Sequence, residues 1–474
     1  MSNLSELLPS GGGQNVVSMT ATGAITEGQP VALKSDGTVT TISATGASNA
    51  QSLTYADKEV YESSQAYNNK TAYGNGSFVT LYTDNGNSNY WTAVAGTVDS
   101  SGNITLGTPL VLHSSGGSYN QGDIIYHPTS QKFVAVWSRQ SGSNYGKVIT
   151  ASGTSLSAGS IADIETSDTT GAYSIQLEYD SNIDRVIALL DCNGTMKPKI
   201  LEVSGTSINK TDATTFSLGF SSQQASYLAS CFDTDTNQVI LAYRMDASTI
   251  RAYALTFTTS DVSVGTATDV SDGSCGYLSL TYDTSQNKAL LIYLSFDGSD
   301  TSGVVYTVSG TGLTAGSVTQ LTTDNMEFSD TLYNPDSNVT VLSGRNDTQS
   351  GYLYSMSVSI SGTTPVVDNF GAVDGSTTVR ETGHAYDTVN QYIIAAFRDD
   401  SNSDYGTAIT YKPHGTVAGT NVADCIGIAS AAIANSAAGN INVFGGIATS
   451  SSFVETTYTG TAGSEAVFET AEVE

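Results

Sequence analysis

A chain of 474 residues with 45 acidic against 17 basic side chains carries a formal charge of −28. That charge excludes a nucleic-acid partner, because a polyanion would be repelled instead of releasing counterions onto the protein. Forty-seven glycines and 26 tyrosines, with abundant Ser, Thr, Asn and Asp, make a composition of short strands and tight turns.

Residues 1–14 hold one apolar patch (Leu4, Leu7, Leu8), a proline and three glycines, and predict a mobile arm. They show neither a basic n-region nor a long apolar run, so no secretory leader is expected. No stretch of the chain approaches the roughly 20 apolar residues of a membrane span. From Asn15 the pattern is β. Val31 to Val39 reads as a hairpin around Asp36-Gly37, since a type I′ turn needs positive φ at both central positions. A two-stranded unit is not stable alone and must find partners elsewhere in the chain. The polar stretch 43–56 reads as a linker.

A phrase then recurs: an aromatic residue, a polar turn, and an apolar run beginning about seven residues later. Its first aromatics are Tyr73, Tyr126, Tyr179, Phe232, Tyr282, Tyr333 and Tyr386, separated by 53, 53, 53, 50, 51 and 53 residues. Short strands at such a period are the signature of a β-propeller. Runs such as Val186 to Leu190 and Val239 to Tyr243 are apolar on both faces, as strands sandwiched between neighbouring blades must be. The seventh repeat lacks a fourth run, while residues 57–61 (Asp-Lys-Glu-Val-Tyr) form a strand with no blade of their own. They are expected to be the outer strand of the last blade and to close the ring. The Ala- and Gly-rich segments Ala423 to Ile433 and Gly439 to Ile447, with an alternating strand over Ser464 to Ala471, lie outside the period. The predicted fold is therefore all-β: a seven-bladed β-propeller (57–412) inserted in a small β-barrel-like domain built from residues 15–50 and 413–474.

Asp233-Thr234-Asp235-Thr236-Asn237 has the opening spacing of a calcium loop, but lacks the glycine and the distant bidentate Glu. Equivalent positions in other repeats (Asp180, Asp283, Asn334) indicate an Asx turn instead. His113, His127, His384 and His414 are scattered, no GxSxG elbow is present, and no cofactor or metal is expected. A glycosidase carboxylate pair remains open among so many acids. Cys192, Cys231, Cys275 and Cys425 lie far apart without a CxxC pair, so free thiols are expected. The loop phrases Asn89-Tyr90-Trp91, Asn144-Tyr145 and Asp404-Tyr405 fall in the first, second and seventh repeats, which are neighbours in a closed ring. Aromatic faces beside amides and carboxylates suit sugar recognition, and these seven residues are the candidate glycan contacts. The other reading of each phrase is a hairpin whose Tyr covers a blade edge.

The phrases Asn87-Ser88-Asn89-Tyr90, Ser143-Asn144-Tyr145-Gly146 and Ser403-Asp404-Tyr405-Gly406 resemble the propeller repeats of structural proteins from tailed bacteriophages, especially marine ones. The flanks, Ala21 to Val31 and Ile426 to Ile433 with the Gly445-Gly446 turn, resemble the small β domains of phage head-decoration and fibre proteins. The resemblance implies a non-enzymatic virion protein, made in the host cytoplasm and displayed on the particle as a capsid decoration or fibre. Its terminal domain would anchor it to other capsid or tail proteins, as a homo-oligomer where the assembly requires one. Its propeller would face host surface polysaccharide. Two alternatives stay open: a tail or tail-nozzle module without its own ligand, and a carbohydrate-active enzyme or lectin.

Overall fold

The computed structural model describes residues 16–21, 24–25, 30–33, 38–41, 53, 55–114, 121–139, 142–166, 172–219, 228–246, 248–271, 275–295, 300–413, 425–429, 432, 434 and 436–443. The N-terminal arm, the Asp36-Gly37 turn and the strand expected over Ser464 to Ala471 lie outside the described residues. The structure is all-β and propeller-like, built from antiparallel sheets, with short 3-10 turns as the helical content of the described residues. No helix among them is long and apolar enough to cross a membrane.

Two compact units divide the chain: residues 1–48 with 416–474, and residues 49–415. In the first, strands from the two ends share one antiparallel sheet, ordered Val16–Thr20, Ala438–Val443, Cys425–Ala429, Pro30–Leu33, Val39–Thr41. A bridge between Ala21 and Val39 joins the two sheet edges. Ala21, Ile25, Val31 and Val39 are buried together. The hairpin thus gains partners beyond itself: Pro30–Leu33 pairs with the C-terminal strand Cys425–Ala429, and Val39 bridges Ala21.

In the second unit the repeat aromatics all end inner strands. Those strands are Gly122–His127, Ser174–Asp180, Leu228–Asp233, Cys275–Asp283, Met326–Asn334 and the C-terminal halves of Tyr55–Gly74 and Thr364–Asp387. Each pairs with the strand that follows it, that strand pairs with a third, and the third pairs with the outer segments. Consecutive inner strands pack side by side, and the seventh packs on the first. The two long strands serve two sheets each. Tyr55–Gly74 pairs through Val60 with Thr407 of the last repeat before its second half becomes the inner strand of the first. The second strands are sealed on both faces: Val186 to Leu190, Val239 to Tyr243 and Ala289 to Leu294 are fully or almost fully buried. Each large apolar side chain buried there contributes about 1.5–3 kcal/mol.

The turns after the inner strands explain why the repeat phrase has its form. Asp180 Oδ1 accepts from the backbone N–H groups of Asn182 and Ile183. Asp283 accepts in the same way from Ser285 and Gln286, Asn334 from Asp336 and Ser337, and Asp387 from Val389 and Asn390. The fifth residue of each turn takes a left-handed conformation (Asn237 φ 56°, Asn287 φ 50°, Asn338 φ 52°), which Asn tolerates best after glycine. Tyrosine is favoured before the Asx because its hydroxyl reaches a neighbouring turn. Tyr386 donates to Asp336 in the preceding repeat, and Tyr179 lies 3.2 Å from Thr129 Oγ1. Asp233 accepts three bonds, from Asp235 N (2.9 Å), Thr236 N (3.1 Å) and Thr236 Oγ1 (2.7 Å). Asp233→Ala should therefore cost about 1 kcal/mol in chemical denaturation, with Asp233→Asn recovering most of it. An unchanged midpoint for the alanine variant would show that the turn forms without its carboxylate.

Cys192, Cys231 and Cys275 are buried. Burial, reinforced by the nearby Glu178 and Asp233 carboxylates, pushes the Cys231 thiol far up, which keeps it unreactive.

Candidate functional site

Three loops between second and third strands share one geometry. Asn85–Asn87, Asp347–Gln349 and Asp400–Asn402 are single 3-10 turns. Each is capped by the preceding Asx: Asp84 accepts from Asn87 N, Asn346 from Gln349 N and Asp399 from Ser401 N, all at 3.1 Å. Two left-handed residues follow: Ser88 and Asn89, Ser350 and Gly351, Ser403 and Asp404. The next residue, Tyr90, Tyr352 or Tyr405, opens the third strand and is half-buried. These loops belong to the sixth, seventh and first repeats, which are consecutive around the ring.

Hydrogen bonds tie the loops together. Asn85 Nδ2 donates to Gln65 Oε1 (2.8 Å), and Gln65 Nε2 donates to Asp404 Oδ2 (2.7 Å). Tyr67 also donates to Gln65, and the Arg398 guanidinium lies 5.0 Å over the Tyr67 ring. On the other side, Val379 N donates to Gly351 O (3.0 Å) and Thr378 N to Ser401 Oγ (3.2 Å). Three of the chain's seven arginines stand in this region. Asp400 lies 2.7 Å from Arg380, 3.1 Å from Arg398 and 3.9 Å from Arg345. Arg345 also meets Asp347 (2.8 Å) and Glu327 (3.9 Å), while Arg398 meets Glu381 (3.4 Å) and Asp404 (3.6 Å). Burial pushes the Asp400 and Glu381 carboxyls up against the opposing pull of Arg398 and Arg380. Five carboxylates for three guanidiniums leave no surplus positive charge for an anionic ligand. What the face offers is amides, hydroxyls and carboxylates beside tyrosine rings.

Backbone strain accompanies these loops. Asn68, Tyr277, Phe328 and Glu381 have φ of 56°, 49°, 45° and 53°, each inside a register break of an inner strand. They fall in the fifth, sixth, seventh and first repeats. A left-handed bulky residue costs about 1–3 kcal/mol and persists where its surroundings hold it. Here Glu381 Oε2 accepts from Asn68 N (2.6 Å), Thr382 donates to Phe328 O, and the Tyr277 and Phe328 rings meet at 4.9 Å.

The candidate contacts read from the sequence divide. Asn89, Tyr90, Asp404 and Tyr405 lie on the linked loops and are partly exposed. Trp91 does not belong with them. It is 4% exposed, donates from Nε1 to Ser138 O (3.2 Å) and packs on Trp137. Strand alternation turns Tyr90 outward and drives Trp91 between the first and second repeats. Asn144 is fully buried and accepts from Ala172 N, so it too holds the fold together. Tyr145 is half-buried with its ring edge-on to His113 at 4.9 Å, in a loop of different geometry. Tyr352 was not a candidate from sequence, although Asn346, Ser350 and Tyr352 repeat the spacing of Asp84, Ser88, Tyr90 and of Asp399, Ser403, Tyr405. Gly351 in place of Asn or Asp hid the match.

A second feature is the axial channel of about 620 Å³ lined by all seven inner strands. Three residues before each of the first six repeat aromatics stand Lys70, Asp123, Gln176, Ala229, Ser279 and Asp330, all lining the channel, and the seventh inner strand contributes His384, so the channel carries unlike residues where the strands are otherwise alike. Neighbouring strands are stitched there: Leu177 N donates to Asp123 (2.8 Å), Gln176 Nε2 to Leu228 O (3.1 Å), and Ser230 Oγ to Glu178 (2.7 Å). Burial lifts Asp123 to about 6, against the pull of Lys70 and two backbone N–H donors. Burial, with Asp123 nearby, lifts Glu178 to about 8.

Among the described residues no cluster of three or more His, Cys, Asp or Glu side chains could hold a metal ion. No protein-family model and no curated protein matches the chain. Solved structures similar to it include the SapL1 lectin in complex with alpha methyl fucoside (12% identity, 65% of this chain and 96% of that one, TM-score 0.39). A protein from Lactobacillus plantarum is 13% identical over 64% of this chain and 87% of its own, with a TM-score of 0.40. AofleA from Arthrobotrys oligospora is 8% identical over 70% of this chain and 97% of its own, with a TM-score of 0.42.

Proposed function

We propose that the chain is a seven-bladed propeller inserted in a barrel-like terminal domain, and that it serves as a non-enzymatic, glycan-contacting display protein of a tailed-phage virion. The terminal unit is the anchor to other virion proteins, and the linked loops of the sixth, seventh and first repeats are the contact face. The observation that carries this reading is the threefold recurrence of one capped loop, each ending in a half-buried tyrosine, in three consecutive repeats. Pyranose C–H faces stack on such rings, while sugar hydroxyls pair with the amides and carboxylates around them. The arginines are held in ion pairs with acids, so the glycan is neutral or weakly charged. The phage assignment rests on the likeness of the repeat phrases and flanks to phage structural proteins.

Purified protein on an array of bacterial surface polysaccharides should retain at least one neutral glycan. The combined substitution Tyr90→Ala, Tyr352→Ala and Tyr405→Ala should weaken that binding tenfold or more, while leaving the unfolding transition within a few degrees of the parent. Equal retention by the triple variant would move the contact off this face. Absence of the protein from purified virions by mass spectrometry would end the virion reading.

A further inference from the structure

We propose that the axial channel is a second, separate binding site, one that takes a small neutral polyhydroxylated molecule of monosaccharide size. His384 points to it. The imidazole is 7% exposed, lines the channel, and has no hydrogen-bond partner for either ring nitrogen. A buried polar ring left unpaired on both sides is costly unless something in the channel completes it. Burial and the neighbouring Lys70 ammonium, opposed by Asp330, press its pKa down to about 4. It is therefore neutral and presents one donor and one acceptor.

The surrounding wall selects the ligand class. Lys70 stays protonated, because the carboxylates of Asp330 and Asp123 outweigh the discharging effect of its burial. A cationic ligand would face that ammonium. An anionic one would face the two carboxylates. Other polar groups of the wall, among them the Ser279, Ser230, Thr281 and Thr331 hydroxyls, the Gln176 amide and the protonated acid of Glu178, can each both donate and accept. The functional group that matches donor-and-acceptor partners on every side is a hydroxyl. The channel, at about 620 Å³, falls in the range of small-molecule sites. Leu280, Leu332 and Ala385 add apolar wall for the C–H faces of such a molecule. None of these residues lies on the tyrosine loops, so the site stands or falls independently of the glycan-contacting face.

The test is calorimetric titration of the full chain with free monosaccharides, myo-inositol and glycerol as probes. It is run on the parent, on His384→Leu and on the triple tyrosine variant. One of the probes should bind the parent at one molecule per chain, tenfold or more weaker to His384→Leu, and unchanged to the tyrosine variant. Should the leucine variant misfold, the parent's own histidine resonances provide the readout. With four histidines in the chain, the signal that disappears in His384→Gln is assigned to His384, and it must shift on saturation with the bound probe. Three results would overturn the proposal: no probe binding the parent, so that the channel holds solvent alone; binding undiminished in His384→Leu with an unmoved His384 signal; or binding lost in the tyrosine variant, which would place the sugar on the loops.

Discussion

Gly159→Ala should lower the stability of the protein by about 3 kcal/mol, the upper end of what overpacking usually costs. A Cβ built at Gly159 would lie 1.7 Å from the carbonyl oxygen of Thr206, which belongs to the outer hairpin of the next repeat. Backbone cannot step aside as the tip of a flexible side chain can. The arrangement recurs: Gly107 approaches Thr154 O at 1.8 Å, Gly265 approaches Thr311 O at 1.9 Å and Gly316 approaches Thr363 O at 2.3 Å. All four glycines also donate their N–H to the third strand of their own sheet, to Ala95, Val148, Ala254 and Val305. None needs a positive φ, so the requirement is room between repeats rather than an unusual backbone. Gly375→Ala is the control, because its Cβ would meet nothing within 4 Å. Denaturant midpoints should fall sharply for Gly159→Ala and stay near the parent for Gly375→Ala. Equal midpoints would mean that the outer edges of adjacent repeats can separate without cost.

These glycines also show what the sequence made legible. The repeat was visible because its parts are local: an aromatic, an Asx that caps its own turn, and an apolar run two turns of phrase later. The inner strands follow from Tyr126 or Tyr282 without any knowledge of neighbours. The glycine contacts were not visible, because Gly159 answers to Thr206 one repeat away. Trp91 and Asn144 looked like ligand contacts for the same reason. Beside Tyr90 and Tyr145 they share a loop phrase, but alternation and the packing of the next sheet bury them. Tyr352 was hidden by a single glycine in a loop whose spacing otherwise matched. The channel was the least legible part. Lys70, Asp123, Asp330 and His384 come from four repeats, and comparing copies makes each look like unpatterned variation, although the charges compensate one another across strands.

Raising the pH from 6.5 to 8 should destabilise the protein by about 1–2 kcal/mol, and Glu178→Gln should abolish most of that loss. Burial, with a contribution from Asp123, holds the Glu178 acid at about 8, against the stabilising bonds that Ser230 and Phe232 N give its ionised form. A carboxyl raised in the folded state binds its proton more tightly there than in the unfolded chain. Its contribution is complete below the unfolded value near 4.5 and disappears as pH rises through about 8. His384 acts in the opposite sense. Held neutral down to about 4, it contributes stability that is present above the unfolded value of 6.5 and lost as pH falls. Between 4.5 and 6.5 the two slopes oppose each other, and Asp123 completes its own loss at about 6. Above 6.5 Glu178 remains as the titrating member of the three, with a limiting slope of about 1.4 kcal/mol per pH unit. That slope halves as Glu178 itself begins to ionise near pH 8, which is why the expected loss over the interval stops at about 2 kcal/mol. Urea denaturation at pH 6.5 and 8 measures it directly. A parent whose stability is flat over that interval, or a glutamine variant that falls as steeply as the parent, would show that Glu178 ionises in the folded channel as freely as it does in water.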